Sequence, residues 1–254
     1  MVYIATLLLL CICTAPYAFA GPVDVSQWKL PPVSYPADNP FSISKAQLGK
    51  QLFFDPRLSG LQNRSCASCH NPGLGWADGI PRAMDGQHAM SRHTPSLINI
   101  AYYSHAYFWD GRASKLETAI EQHLLSPGIM GEYNKRAVEQ RIGSLNDYRH
   151  QFSHVFGSNV VSIANISAAI STFIRGIVSN KSPFDRWIAG DRSALSDSAK
   201  RGFRLFTGKA RCITCHSGPA FTDSSFHNTG LNSIDPGHYE IDSKDRYRNS
   251  FRTP

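Results

Sequence analysis

Cys66 and Cys69 stand three positions apart with His70 directly after them, and Cys212, Cys215 and His216 repeat the arrangement. Two thiols at this spacing can both reach the vinyl groups on one edge of a porphyrin and form thioethers. The adjoining histidine then falls under the iron as its proximal ligand. The chemistry so encoded is covalent attachment of two c-type haems, with His70 and His216 as iron ligands. Two other uses of the same cysteines compete with it: a redox dithiol, and a zinc site built from Cys66, Cys69, Cys212 and Cys215. A dithiol does not need the following histidine, much less twice. A zinc site leaves both histidines unexplained.

The elements that must position these groups follow from the rest of the chain. Its 254 residues and formal charge of +7 describe an ordinary globular protein, and no basic stripe with interleaved aromatics points to nucleic acid. The apolar run Ile4–Cys13 followed by Ala18-Phe19-Ala20 reads as a secretory signal peptide over residues 1–20, cleaved after Ala20. Its core is shorter than the roughly 20 residues of a membrane span, so the mature protein is not membrane-embedded. An exported location follows, the periplasm. Cys11 and Cys13 leave with the signal, so no cysteine outside the two motifs remains to form a structural disulfide.

Pro22–Pro40 is rich in proline and reads as an irregular lead-in. Ser44 is expected to cap a helix through Phe54, and a helix is expected from Ala113 to Leu124. Ile163, Ile166, Ile170, Phe173, Ile174 and Ile177 recur at helical spacing and mark the clearest amphipathic helix. No segment alternates as strands do, so the fold is predicted to be all-α. Gly202–Phe206, ahead of the second motif, echoes Gly49–Phe53 ahead of the first, and Arg252-Thr253-Pro254 echoes His93-Thr94-Pro95. This internal repeat predicts two tandem cytochrome c-like haem domains, residues 21–180 and 181–254. In the first copy the chain runs on after Thr94-Pro95, whereas the given sequence stops at Pro254, so the second domain is expected to be truncated at its C-terminus.

Leu48–Arg112 closely resembles bacterial di-haem cytochrome c peroxidases and their MauG relatives, through C-x-x-C-H-N-x-G-L-G, T-P-S-L-x-N and Phe108-Trp109-Asp110-Gly111-Arg112. The second half agrees through Phe203–Phe206, Cys212–His216, Phe221-Thr222-Asp223 and Phe226–Leu231. The resemblance implies that the N-terminal haem is peroxidatic and that the C-terminal haem passes it electrons. It implies that Trp109 lies between them as an electron relay, against the plainer reading of a core aromatic. Asp110 and Arg112 are read as bracing that turn by ion pairing. Hydrogen peroxide and a small periplasmic donor, a cytochrome c or cupredoxin, are the implied partners.

Family members usually place a glutamate before the methionine of an N-P-x-E-M segment, where it moves a proton between the peroxide oxygens. Here the segment reads Ser126-Pro127-Gly128-Ile129-Met130-Gly131-Glu132. Isoleucine cannot carry a proton, which makes Glu132 the substitute candidate. His88 is the positional candidate for the loop histidine that caps the resting iron in many relatives. His93 stands where the family often has an asparagine on a calcium site between the domains, which weakens calcium as a further cofactor. His227 suits a propionate or packing role, and His105, His123, His150, His154 and His238 are assigned no function. The leading functional expectation is peroxide reduction. The alternatives are a MauG-like enzyme oxidising side chains of a partner protein and a di-haem electron carrier without catalysis. In the family, methionine or tyrosine on the second haem separates peroxidase from MauG, and that ligand would lie beyond Pro254.

Overall fold

The computed structural model describes residues 25–86, 88–103, 106–179, 181–231 and 233–254; the expected signal peptide and His105 lie outside them. Regular structure is mainly helical, as the patterning requires. In chain order the helices are α1 (Ile43–Phe54), α2 (Cys66–Cys69), α3 (Leu116–Leu124), α4 (Pro127–Met130), α5 (Lys135–Gly143), α6 (Asn146–Phe156), α7 (Ile163–Arg175), α8 (Pro183–Ile188) and α9 (Asp197–Thr207). Two short strands, β1 (Phe226–His227) and β2 (Phe251–Arg252), pair antiparallel.

Caps set several of these boundaries. Ser196 and Ser162 accept the amides of Ala199 and Asn165 at the starts of α9 and α7. At α1 the cap is Ser42 and not Ser44: Ser42 has the extended backbone that lets its hydroxyl accept the Lys45 amide at 3.2 Å. α3 starts at Leu116, three residues later than the pattern suggested. The Ala113 carbonyl is already engaged by the Tyr107 amide at 2.9 Å, which holds the preceding stretch extended.

α1 and α7 form the centre of the main core. Leu48, Leu52 and Phe53 of α1 meet Ile163, Ile166, Ile170 and Ile174 of α7, all buried. The two backbones touch where they cross. A Cβ at Gly49 would lie 1.9 Å from the Ala169 carbonyl oxygen. That contact is backbone against side chain root, so no rotamer relieves it. Gly49→Ala is therefore expected to destabilise by about 1–3 kcal/mol or more, read as a lowered urea midpoint.

α3 is tied to α7 by a polar cluster. Glu117 receives both Arg175 guanidinium nitrogens at 2.6 and 3.0 Å, the Asn39 amide at 2.8 Å and the Ser171 hydroxyl at 2.8 Å. Burial alone would raise the Glu117 pKa, but these donors and the Arg175 charge outweigh it and hold the carboxyl at about 2, below its ordinary 4.5. A carboxylate with a depressed folded pKa contributes stability above its unfolded value and loses it as pH falls through the folded one. Stability is thus expected to drop between pH 4.5 and about 2. Urea titrations across that window should show the drop reduced in Glu117→Gln.

Over residues 25–40 the lead-in is irregular apart from one 3-10 turn, Ser26–Trp28, yet it is not a loose tail. Trp28 is 1% exposed and packs among Phe184, Phe203, Phe206 and Phe221. An N-terminal residue thus fills the aromatic cluster beside the second Cys-x-x-Cys-His motif.

Candidate haem sites

α2 presents the first motif to an apolar cavity. Cys66, Cys69 and His70 line it together with Leu97, Ile100, Leu116, Ile120, Ile170 and Ile174. The His70 amide donates to the Cys66 carbonyl at 2.8 Å, closing the turn that brings both thiols and the ring to one side. The ring's Nδ1 donates to the Trp76 carbonyl at 3.1 Å, which leaves Nε2 as the lone-pair nitrogen. Burial, with His123 close by, pulls the His70 imidazole down to about 4, so it is neutral and able to coordinate. Burial pushes the Cys66 thiol up to about 12 and raises Cys69 as well.

The second motif repeats this construction. The His216 amide donates to the Cys212 carbonyl at 2.9 Å, and His216 Nδ1 donates to the Phe221 carbonyl at 3.0 Å. Trp76 and Phe221, whose carbonyls receive the two imidazoles, both have positive φ, 61° and 55°. The repeat therefore extends to an unusual backbone conformation, one a few per cent of non-glycine residues adopt. His227 Nε2 donates to Asp223 at 2.7 Å, and the Asp223 amide donates to the Cys215 carbonyl at 2.9 Å.

These environments fit haem and oppose the competing uses of the cysteines. All four thiols are free, and among the described residues the one metal-ligand cluster is Cys215, Asp223 and His227, which does not combine the two motifs. A zinc site or reactive dithiol needs a stabilised thiolate, and the first pair is neutral in apolar surroundings. Each histidine has its Nδ1 held by a carbonyl, the arrangement that aims and tunes a metal-bound imidazole. Arg64, Arg92 and Arg112 add positive charge to the cavity wall, suited to propionate carboxylates.

Trp109 lies on the wall of the same cavity, in a turn that the C-terminal half holds closed. Its indole N–H donates to the His93 carbonyl at 3.0 Å, and its own carbonyl accepts the Arg252 amide of β2 at 2.9 Å. Gly111 has φ +73°, and a Cβ there would lie 2.2 Å from Phe226 of β1, so glycine is needed on both counts. Asp110, buried beneath the turn, accepts Arg92 at 2.5 Å and Arg112 at 2.6 Å. Arg92 in turn grips Asp235 with two bonds of 2.7 Å. Asp110 and Arg112 brace the turn, and the brace reaches across to the other half of the chain.

Comparison with known proteins agrees with this architecture. Residues 43–193 match the di-haem cytochrome c peroxidase family. The chain belongs to that family. It is 44% identical over 87% of its length to methylamine utilization protein MauG of Methylorubrum extorquens, and 42% identical over 87% to cytochrome-c peroxidase IdrP1 of Denitromonas iodatirespirans. It spans 64% and 59% of those two relatives' own lengths. Among solved structures, a MauG-like protein associated with microbial copper homeostasis superposes with TM-score 0.79 at 30% identity, covering 92% of this chain and 75% of the other. The diheme peroxidase BthA of Burkholderia thailandensis shares the fold, with TM-score 0.75 at 23% identity over 89% of this chain and 68% of the other.

Against this di-haem frame, two residues singled out in the sequence sit away from the cavity. Glu132 does not line it. Its carboxylate accepts the Tyr133 and Asn134 amides at 3.0 and 2.8 Å and Arg141 at 2.8 Å, and so ties the α4–α5 connection to α5. Those amide and Arg141 bonds hold its pKa below the ordinary range, the opposite of a proton donor. His88 is also outside the wall. Its side chain is 82% exposed and its partner is Asp85. Ile129 and Met130 do line the cavity, as does His93, whose ring lies 5.0 Å from that of Trp109. The residue that sequence reasoning passed over is His123, which lines the cavity from α3 with its ring centre 6.4 Å from that of His70. Its signal was its register: it follows Leu116 and Ile120 by seven and three positions, on the face that α3 buries.

Proposed function

We propose that the chain carries haem c on Cys66, Cys69 and His70 and again on Cys212, Cys215 and His216. We further propose that the protein is a periplasmic oxidoreductase that reduces hydrogen peroxide to water with electrons from a small cytochrome c or cupredoxin. One observation carries this reading: an apolar cavity in which Cys66, Cys69 and His70 share a wall with an indole held by the other half of the chain. When bound there, haem would supply a redox-active iron able to pass electrons to peroxide. Each peroxide takes up two electrons and two protons and leaves as two waters.

The chain's residues have distinct parts in that reaction. Cys66 and Cys69 hold the cofactor edge, and the apolar wall keeps bulk water out. Trp109, fixed at both its indole N–H and its carbonyl, offers a polarizable ring for electrons arriving from the second site. Among the described residues no carboxylate lines the cavity; the imidazoles on its wall are those of His70, His93 and His123. No helix among the described residues is long and apolar enough to cross a membrane.

The test is rapid mixing of the full-length di-haem protein, a reduced donor cytochrome and peroxide. The expected result is oxidation of two donor molecules per peroxide. Trp109→Phe should slow it at least about tenfold, some 1.4 kcal/mol of barrier, with haem content unchanged. A second reading, MauG-like oxidation of side chains on a partner protein, draws support from the MauG relative and the MauG-like solved structure. Oxidising equivalents that persist in the protein while the donor stays reduced would favour it over peroxidase turnover.

A further inference from the structure

We propose that His123 is the second axial ligand of the iron that His70 holds, on the opposite face of the cofactor. The inference rests on the haem attachment proposed above and adds a ligand to it. Distance decides between the two roles open to this imidazole. An iron bound to two imidazoles, about 2 Å from a nitrogen of each, separates the ring centres by roughly 6 Å. An acid–base histidine must leave room for a bound water or peroxide oxygen and its hydrogen bond, which widens the gap to roughly 9 Å. The observed separation is 6.4 Å.

The surroundings of the ring match a ligand. His123 Nδ1 donates to the Ala119 carbonyl one turn back at 2.8 Å, so Nε2 carries the lone pair, as it does in His70. Phe108 stacks on the ring at 4.8 Å with planes 11° apart, and the Arg112 guanidinium caps Phe108 at 3.6 Å. The imidazole plane is therefore set by the same turn that carries Trp109. The two candidates that the sequence offered are placed elsewhere: His88 is exposed and Glu132 is tied to Arg141. Peroxide then finds no open iron position until the ring withdraws. His123 lies next to the last residue of α3, so withdrawal requires only the final helical turn to loosen.

Electron paramagnetic resonance of the ferric, full-length di-haem protein tests this. His123→Gly should convert one haem per chain from low spin to high spin, and added imidazole should restore the low-spin signal. His88→Ala should leave the spectrum unchanged. Unchanged spin states in His123→Gly, or conversion by His88→Ala instead, would overturn the assignment. If the glycine variant does not accumulate, His123→Met is read the same way, with a shifted low-spin signal expected and an unaltered one decisive against. Covalent haem is counted on the same samples. Two haems per chain with unaltered spectra sink the ligand alone, whereas fewer than two in the unsubstituted protein sink the attachment reading beneath it.

Discussion

Replacing Cys66 and Cys69 together with serine is expected to halve the haem that stays on the chain after denaturation. Serine keeps the size of the side chain and removes the sulfur that forms the thioether. His70 then remains as an iron ligand, but a coordinate bond to one imidazole does not survive unfolding. The Cys212→Ser, Cys215→Ser pair should lose the other half, and the fourfold variant should retain none. A single Cys66→Ser should still stain, because Cys69 supplies the remaining thioether. Haem staining of denatured chains and the alkaline pyridine spectrum read these counts directly. Equal staining of all variants would show that the cysteines do something else. The expectation follows from geometry that both motifs share, with the histidine amide bonded to the first cysteine's carbonyl at 2.8 and 2.9 Å.

Arg92→Ala should cause the largest loss of stability among single charge deletions, about 3–5 kcal/mol. The side chain joins three carboxylate bonds, one to Asp110 and two to Asp235, and is 19% exposed. Burial would raise the Asp110 carboxyl, but Arg92 and Arg112 hold it below its usual range, so removing Arg92 strips a buried carboxylate of its leading counter-charge. Urea denaturation of Arg92→Ala, Asp235→Ala and the double variant forms a cycle. A coupling energy of about 0.5–3 kcal/mol is expected, since both singles break the same contact. Additive effects would mean that the pair contributes nothing beyond its separate surroundings. Peroxide-driven donor oxidation should fall in Arg92→Ala as well, because the turn that presents Trp109 loses its brace.

The two Cys-x-x-Cys-His turns, the helical class and the α7 helix were readable in the chain because each is a local pattern. Spacing of three between thiols, and apolar residues three and four apart, need no partner to be recognised. The internal repeat was likewise visible in Gly49–Phe53 and Gly202–Phe206, whose helices precede the two motifs. Other features depended on distant partners. Trp28 is a lone aromatic in a proline-rich stretch, and only the Phe203, Phe206 and Phe221 cluster gives it a place. α3 begins late because a backbone bond to Tyr107 competes for Ala113. Glu132 was drawn from the cavity by two local amides and an arginine nine positions away, a competition that motif matching does not weigh. His123 carried a legible register and was missed because the matched motif points to the glutamate position and to a loop histidine, not to the helix between them.

The bond from the Arg252 amide to the Trp109 carbonyl also bears on how the protein is assembled. A chain is synthesised from its N-terminus, so Cys66 and Cys69 emerge long before residue 252 does. Until β2 arrives, the turn over the first cavity lacks its closing strand, and no bond spans the 143 positions between its backbone neighbourhood and β2. Contacts of such long range form late, after local helices. On the attachment reading proposed above, the thiols meet the cofactor while their cavity still has an open side, and the wall bearing the indole is completed only afterwards. On that reading, order of emergence gives the cofactor its time to enter.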